Sequence, residues 1–217
     1  MSIYYGKYYG LCSLCSGKKY FYGKYQKRSY FRCEKCNSIS LSSSDYPTPE
    51  KEKKRYSEHN NDVKDIRYQS FVRPIVSAII NDFGKKHKGL DFGAGTGPVI
   101  TKLLTDCSYN IKAYDPYFYN YPDYLKEKYD YIVCCEVIEH FHKPYNEFNK
   151  LKKMLNEKGR LYCKTELFRE DVDFEKWYYK NDFTHAFFYT EKSIHWIKKK
   201  LDFKEVTIKN RLITFLN

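Results

Sequence analysis

The chain has 217 residues, 30% of them charged, and a formal net charge of +12 at pH 7. That length suits one medium domain plus a small appendage, and the aliphatic content supports a packed core, which excludes a fully disordered chain. No apolar run approaches the roughly 18 residues needed to cross a bilayer, and the tyrosine-rich first ten residues lack the apolar stretch of a signal peptide, so a cytoplasmic protein with no membrane anchor is expected.

Residues 1–44 are expected to form a small zinc ribbon. Cys12-x₂-Cys15 and Cys33-x₂-Cys36 are separated by 17 residues, inside the spacing of four-cysteine zinc sites, where each CxxC presents two thiolates to one tetrahedral ion. The intervening Lys19–Tyr30 predicts a hairpin. Neither pair opens a βαβ helix, which argues against thioredoxin-like redox chemistry. Cys107, Cys134, Cys135 and Cys163 are scattered through apolar segments and read as reduced core thiols. The module carries Lys7, Lys18, Lys19, Lys24, Lys27, Arg28, Arg32 and Lys35 against Glu34 alone. Interleaved with these cations are Tyr4, Tyr5, Tyr8, Tyr9, Tyr20, Phe21, Tyr22, Tyr25, Tyr30 and Phe31. Cations tracking phosphates and aromatic faces stacking on bases are how single strands are held, so RNA contact is one reading. A structural lid packed on the next domain, its charges solvated, is the other.

Residues 45–64 read as a linker: a Ser/Pro-rich stretch to Pro49, then a charged run to Arg55. From Ile66 onward Tyr68, Val72, Ile75, Val76, Ile79, Ile80 and Phe83 recur at helical spacing. Pro74 marks a kink or the helix start, and Gly84 a stop. Then come a strand at Gly89–Phe92, a helix at Pro98–Thr105, and strands at Asn110–Tyr114 and Tyr129–Cys135. A helix over Tyr145–Leu155, broken by Gly159, leads to a strand at Arg160–Thr165. A helix at Glu191–Leu201 precedes a hairpin of Phe203–Lys209 and Leu212–Leu216 around Asn210-Arg211. This alternation predicts an α/β fold, a Rossmann-like and mostly parallel sheet ending in an antiparallel hairpin.

Asp91-Phe92-Gly93-Ala94-Gly95-Thr96-Gly97 lies between the first of these strands and its helix. Its glycines allow a sharp turn and close approach of the backbone to a ligand. A nicotinamide fingerprint would put its third glycine at position 98, which is Pro98. Asp115 ends the next strand, 22 residues after Gly93, where a carboxylate can accept hydrogen bonds from both hydroxyls of a ribose. Cys134-Cys135-Glu136-Val137-Ile138-Glu139-His140 ends the strand after it. Together the three motifs resemble those of class I S-adenosylmethionine-dependent methyltransferases, over residues 65–217. The resemblance implies S-adenosylmethionine bound by Asp91, Phe92, Gly93, Ala94, Gly95, Gly97, Asp115, Pro116, Glu136 and Val137. Only 14 residues separate Asp115 from Asp130, too few for the family's usual third strand and its helix. The whole chain looks like bacterial zinc-ribbon methyltransferases, a resemblance that leaves the acceptor open: a small hydroxylated metabolite, an RNA or a protein.

Two segments are candidates for the acceptor side, Glu136-x₂-Glu139-His140 and Trp177–His185. In one reading His140 or His185 is a general base, with Trp177 and Tyr179 walling the pocket; His140, His185 and Tyr179 are the catalytic candidates. In another, Glu136, Glu139, His140 and His185 hold a second divalent metal. They resemble, in order and type, the metal set of the small-RNA 3′-terminal 2′-O-methyltransferases, and such donors suit Mn²⁺, Fe²⁺, Co²⁺ or Zn²⁺ better than Mg²⁺. The same Glu-x-x-Glu-His follows the fourth strand of methyltransferases that use no metal, where Glu136 would contact cofactor and Glu139 would cap a helix. His59, His87, His142 and His195 read as surface or structural residues. The competing functions are a non-catalytic module whose ribbon engages nucleic acid or protein, and a nicotinamide oxidoreductase.

Overall fold

The structure is a computed structural model and describes residues 7–58 and 62–217; Tyr4, Tyr5 and His59 lie outside the described residues. The chain begins with four short antiparallel strands, β1 (Tyr8–Leu11), β2 (Lys18–Tyr25), β3 (Arg28–Cys33) and β4 (Ile39–Leu41). The expected hairpin is β2–β3, closed by Gln26 and Lys27 at φ of 49° and 67°. Two positive φ values in a two-residue loop match the right-handed twist of the flanking strands.

The segment read as a linker, residues 45–64, contains a helix that the sequence reading did not place. Residues Pro49–Ser57 form α1: Thr48 caps it by accepting from the Lys51 amide, Pro49 opens it, and Glu50 and Glu52 occupy the positive end. None of its residues is buried, so it shows no apolar stripe, the signal on which helix recognition mainly rests. Helix α2 (Ile66–Asp82) starts at an Asp65 cap, runs through Pro74, and buries Val72, Ile75, Val76 and Ile79.

The main sheet is assembled from β5 (Lys88–Phe92), β6 (Asn110–Tyr114), β7 (Tyr129–Cys135) and β8 (Leu155–Lys164), with helices α3 (Val99–Asp106) and α4 (Pro144–Met154) between them. A two-residue strand β9 (Phe187–Phe188) and helix α5 (Glu191–Lys200) precede the hairpin of β10 (Glu205–Lys209) and β11 (Leu212–Leu216). Strand order is β10-β11-β8-β7-β5-β6. The pairs β5–β6, β5–β7 and β7–β8 are parallel, and β11 runs antiparallel to both β8 and β10. Between β6 and β7 the chain makes only a 3₁₀ turn at Pro122–Lys126, which leaves β6 at the sheet edge. Gly159 does not end a helix: α4 stops at Met154 and Gly159 sits inside β8 beside the Asp130 carbonyl.

Alternate residues of β7 serve opposite cores, as the two-residue period of a strand requires. Ile132 and Cys134 join Phe148, Leu151, Ile194 and Ile197 on one face, while Tyr131 and Val133 join Ile75, Ile79, Val99 and Leu104 on the other. The ribbon is continuous with this body. Strand β9 adds to β4, pairing Phe188 with Ile39 and Phe187 with Ser40, so a segment from beyond β8 completes the N-terminal sheet. Tyr30, Ile39 and Leu41 of the ribbon share a buried cluster with Phe168, Phe174, Trp177, Tyr179 and Phe188.

Candidate active site and metal centre

The ribbon builds its cysteine cluster from two copies of one turn. In each, the residue after the second cysteine has a positive φ (Ser16 55°, Asn37 60°) and returns its amide to the carbonyl of the first cysteine. The first cysteine's amide in turn reaches the carbonyl one residue further on, Gly17 or Ser38. Cys12 and Cys36 lie 3.8 Å apart at sulfur, and Cys15 and Cys33 3.4 Å. A regular tetrahedron of thiolates about 2.3 Å from Zn²⁺ has edges of about 3.8 Å, so the four buried sulfurs fit that ion. A Cβ at Gly17 would fall 3.0 Å from the Cys33 sulfur and closer still to Lys35. Glycine keeps that knuckle open.

At the carboxyl ends of β5, β6 and β7 the chain opens into a cleft of about 1120 Å³. All ten residues expected to bind the cofactor line it. Gly93 and Gly95 adopt φ of 81° and 64°, and a Cβ on Gly93 would meet the Val137 side chain at 2.5 Å. At that point only glycine fits, so the loop curves as a cradle packed closely against Val137. Asp115 braces it from the next strand, accepting from the amides of Gly95 (3.0 Å), Tyr117 (2.8 Å) and Phe118 (3.2 Å). Asp91, buried beneath the loop, accepts from the Thr101 hydroxyl, and burial pushes its carboxyl up to about 6.

The opposite wall carries the acceptor candidates, and His140, His185 and Tyr179 all line the cleft. His140 Nδ1 lies 3.1 Å from the Thr184 carbonyl and His185 Nδ1 2.6 Å from the Tyr179 carbonyl. A carbonyl accepts only, which assigns the ring proton to Nδ1 and the lone pair to Nε2 in each neutral imidazole. Glu139, His140 and His185 bring donor atoms within 4.8 Å of one another. Glu136 does not join that group: Arg211, from the β10–β11 turn, grips both of its oxygens at 2.8 and 2.7 Å. The Tyr179 hydroxyl stands between the two carboxyls, near Glu139, Glu136 and Thr165. Burial raises both carboxyls well above the usual range, Glu139 adding to the effect on Glu136 and Arg211 opposing it.

With this geometry in hand, comparison with known proteins assigns the family. A family model described as a methyltransferase domain matches residues 65–208, two thirds of the chain. The chain belongs to that family. Its fold is that of the class I S-adenosylmethionine-dependent methyltransferases, with an N-terminal four-cysteine cluster beside it. Among solved structures the methyltransferase is similar to the Burkholderia thailandensis 1,6-didemethyltoxoflavin-N1-methyltransferase, at 11% identity and TM-score 0.55, over 91% of this chain and 98% of that one. It is also similar to human N-acetylserotonin methyltransferase, at 11% identity and TM-score 0.54, over 81% and 61%. An Archaeoglobus fulgidus methyltransferase matches at 16% identity and TM-score 0.51, over 64% and 71%. At such identities the likeness is one of fold. No curated protein matches the sequence. The chain spans 58–61% of the length of several methyltransferases that it matches in structure.

Sequence reasoning missed several residues of the methyltransferase's cleft. Helix α1 lays Glu52, Arg55 and Tyr56 along it. The Tyr117 hydroxyl donates to Glu52 (2.9 Å), Arg55 donates to Asp182 (2.8 Å), and the Tyr56 hydroxyl lies 3.2 Å from His140 Nδ1. His142, read as a surface or structural residue, stacks on Tyr46 at 3.9 Å, approaches Glu52, and lines the same cleft. The helix-start signal at Thr48-Pro49 was available, but the partners of α1 lie more than sixty residues away in sequence.

Proposed function

We propose that this methyltransferase moves the methyl group of S-adenosylmethionine onto a hydroxyl oxygen of an acceptor held against His140, Tyr179 and His185. The observation that carries this reading is the half-buried His140 on the cleft wall, its Nδ1 facing the Thr184 carbonyl and Tyr56 hydroxyl. A hydroxyl is a weak nucleophile until its proton leaves, and an imidazole with its lone pair on Nε2 is a suitable base near neutral pH. The glycine loop and Asp115 would hold the cofactor, the carboxylate accepting from its ribose, while Tyr179 and His185 wall the acceptor. A cleft of about 1120 Å³ is at the upper end for a single ligand and leaves room for a second.

A second reading rests on the donor set of Glu139, His140 and His185. Both imidazoles turn Nδ1 toward a backbone carbonyl, the arrangement that orients histidine metal ligands, and a bound cation would lower the pKa of the acceptor hydroxyl. The three donor atoms lie within 4.8 Å of one another, so experiment separates this reading from the histidine base. The deciding experiment incubates the protein and labelled S-adenosylmethionine with fractionated cell extract, identifies the methylated atom by mass spectrometry, and repeats the reaction with His140→Gln. Methylation on oxygen with kcat down about 10²–10⁴-fold in the variant is expected. Methylation on nitrogen or carbon, or an unaffected variant, would sink the base; activity that follows added Mn²⁺ or Co²⁺ would transfer the role to a metal.

A further inference from the structure

We propose that the outer face of the ribbon sheet binds single-stranded nucleic acid. Strands β2 and β3 divide their aromatic residues between two faces. Tyr22, Tyr25 and Tyr30 turn inward onto Phe168 and Phe174 of the methyltransferase domain. Phe21 and Phe31 turn the other way: Tyr9 stacks on Phe31 at 4.3 Å and 20°, Phe21 meets it edge-on at 6.0 Å, and the Lys19 ammonium lies 5.6 Å over the same ring. Tyr9 is 58% exposed and Phe21 44%. Large apolar groups clustered at this exposure mark an interaction surface rather than ordinary solvent contact.

Charge selects the partner. Arg28 and Arg32 serve the fold, Arg28 donating to the Lys180 and Asp182 carbonyls and Arg32 to Glu170. Lys7, Lys18, Lys24 and Lys27 stay exposed, and Lys24 follows Phe21 along β2. Glu34, the one acid of residues 7–44, accepts from the Tyr20 hydroxyl. Four thiolates on Zn²⁺ remove only two charges, so the module stays strongly positive. Lysines satisfy an acidic protein or a phosphate chain equally well, whereas exposed ring faces beside them match unpaired bases. The cysteine knuckles and the β4–β9 pairing fix this face before any partner arrives, which lowers the entropic cost of binding. The inference does not depend on which atom the enzyme methylates.

The test uses the full chain loaded with zinc and fluorescence anisotropy with oligo-uridine, oligo-thymidine and a duplex of mixed sequence. Single strands should bind more tightly than the duplex, and affinity should fall with salt at a logarithmic slope of about 0.7 per phosphate neutralised. The pair Tyr9→Ala and Phe21→Ala should weaken binding by about 5- to 140-fold for each base that loses its stack. Lys24→Ala with Lys27→Ala should reduce the salt slope by about 1.4. Both variants should keep their zinc and their thermal shift with S-adenosylhomocysteine, which shows that they fold. A preference for uridine or thymidine strands tells RNA from DNA, and either supports the surface. No binding at low salt, binding indifferent to loss of both rings, or poly-glutamate binding as tightly as the oligonucleotides would overturn it.

Discussion

Replacing Asp115 by Asn separates the bracing of the glycine loop from the ribose contact proposed for this carboxylate. In the structure it accepts three backbone amides, two through Oδ1 from Tyr117 and Phe118 and one through Oδ2 from Gly95. Asparagine preserves the shape and the Oδ1 contacts, but turns Oδ2 into an NH₂ that faces the Gly95 N–H, donor against donor. A hydrogen bond to a charged group contributes about 1.5–3 kcal/mol, so the ligand-free protein should lose about that much. In a protein of this size each kcal/mol is worth roughly 2–4 °C, which puts the fall in Tm at about 3–12 °C. If the carboxylate also accepts a ribose hydroxyl, binding loses a similar amount and Kd for S-adenosylhomocysteine rises about 10- to 150-fold. Calorimetric titration and a thermal scan, run on the same preparations, read the two numbers independently. A lower Tm with Kd unchanged within twofold would refute a cofactor role and leave Asp115 as a brace for the glycine loop.

Three further outcomes are expected. Elemental analysis should find one zinc per chain, and Cys33→Ser should abolish it; because β4 pairs with β9, Trp177 fluorescence should change at the same chelator midpoint, and independent midpoints would contradict the shared sheet. Gly93→Ala forces φ of 81° on a residue with a Cβ that meets Val137 at 2.5 Å, so overpacking of about 1–3 kcal/mol and loss of S-adenosylhomocysteine binding are expected, and retained binding by calorimetry would contradict the cradle. Asp91 has a folded-state pKa raised by burial from 3.8 to about 6. Its contribution is complete below the unfolded value and is lost as pH rises through the folded one, so stability should fall across that window by up to about 1.4 kcal/mol per pH unit. Asp91→Asn should flatten that slope in denaturant titrations, and an unchanged slope would refute the assignment.

Much of the fold was legible: the buried, largely apolar run Tyr129–Cys135 reads as a central parallel strand and appears at the expected residues, and the edge strand Asn110–Tyr114 was placed by its position before Asp115. The short interval after Asp115 likewise left too few residues for a further strand and helix, and among the described residues β6 is the edge of the sheet. What escaped was held together across distance. Helix α1 has no apolar stripe, and its meaning lies in Tyr117, His140 and Asp182. Strand β9 has two residues, too few for any period to register. Arg211 looked like a turn residue, and only the closed sheet brings it to Glu136, 75 positions earlier, which drew Glu136 away from the expected metal set. The cofactor loop could be read because glycine reports a local backbone need. The acceptor wall is written in contacts between segments.

The pairing of β4 with β9 has a consequence for how the chain is made. The ribbon leaves the ribosome before β9 and can take up its metal at once, yet the edge that Ile39 and Ser40 offer waits for Phe187 and Phe188. At about 5–20 residues per second, Tyr30, Ile39 and Leu41 stay uncovered for roughly 8–30 s of synthesis. During that interval the nascent protein carries an open sheet edge beside an apolar surface, the combination that chaperones recognise and that aggregation exploits.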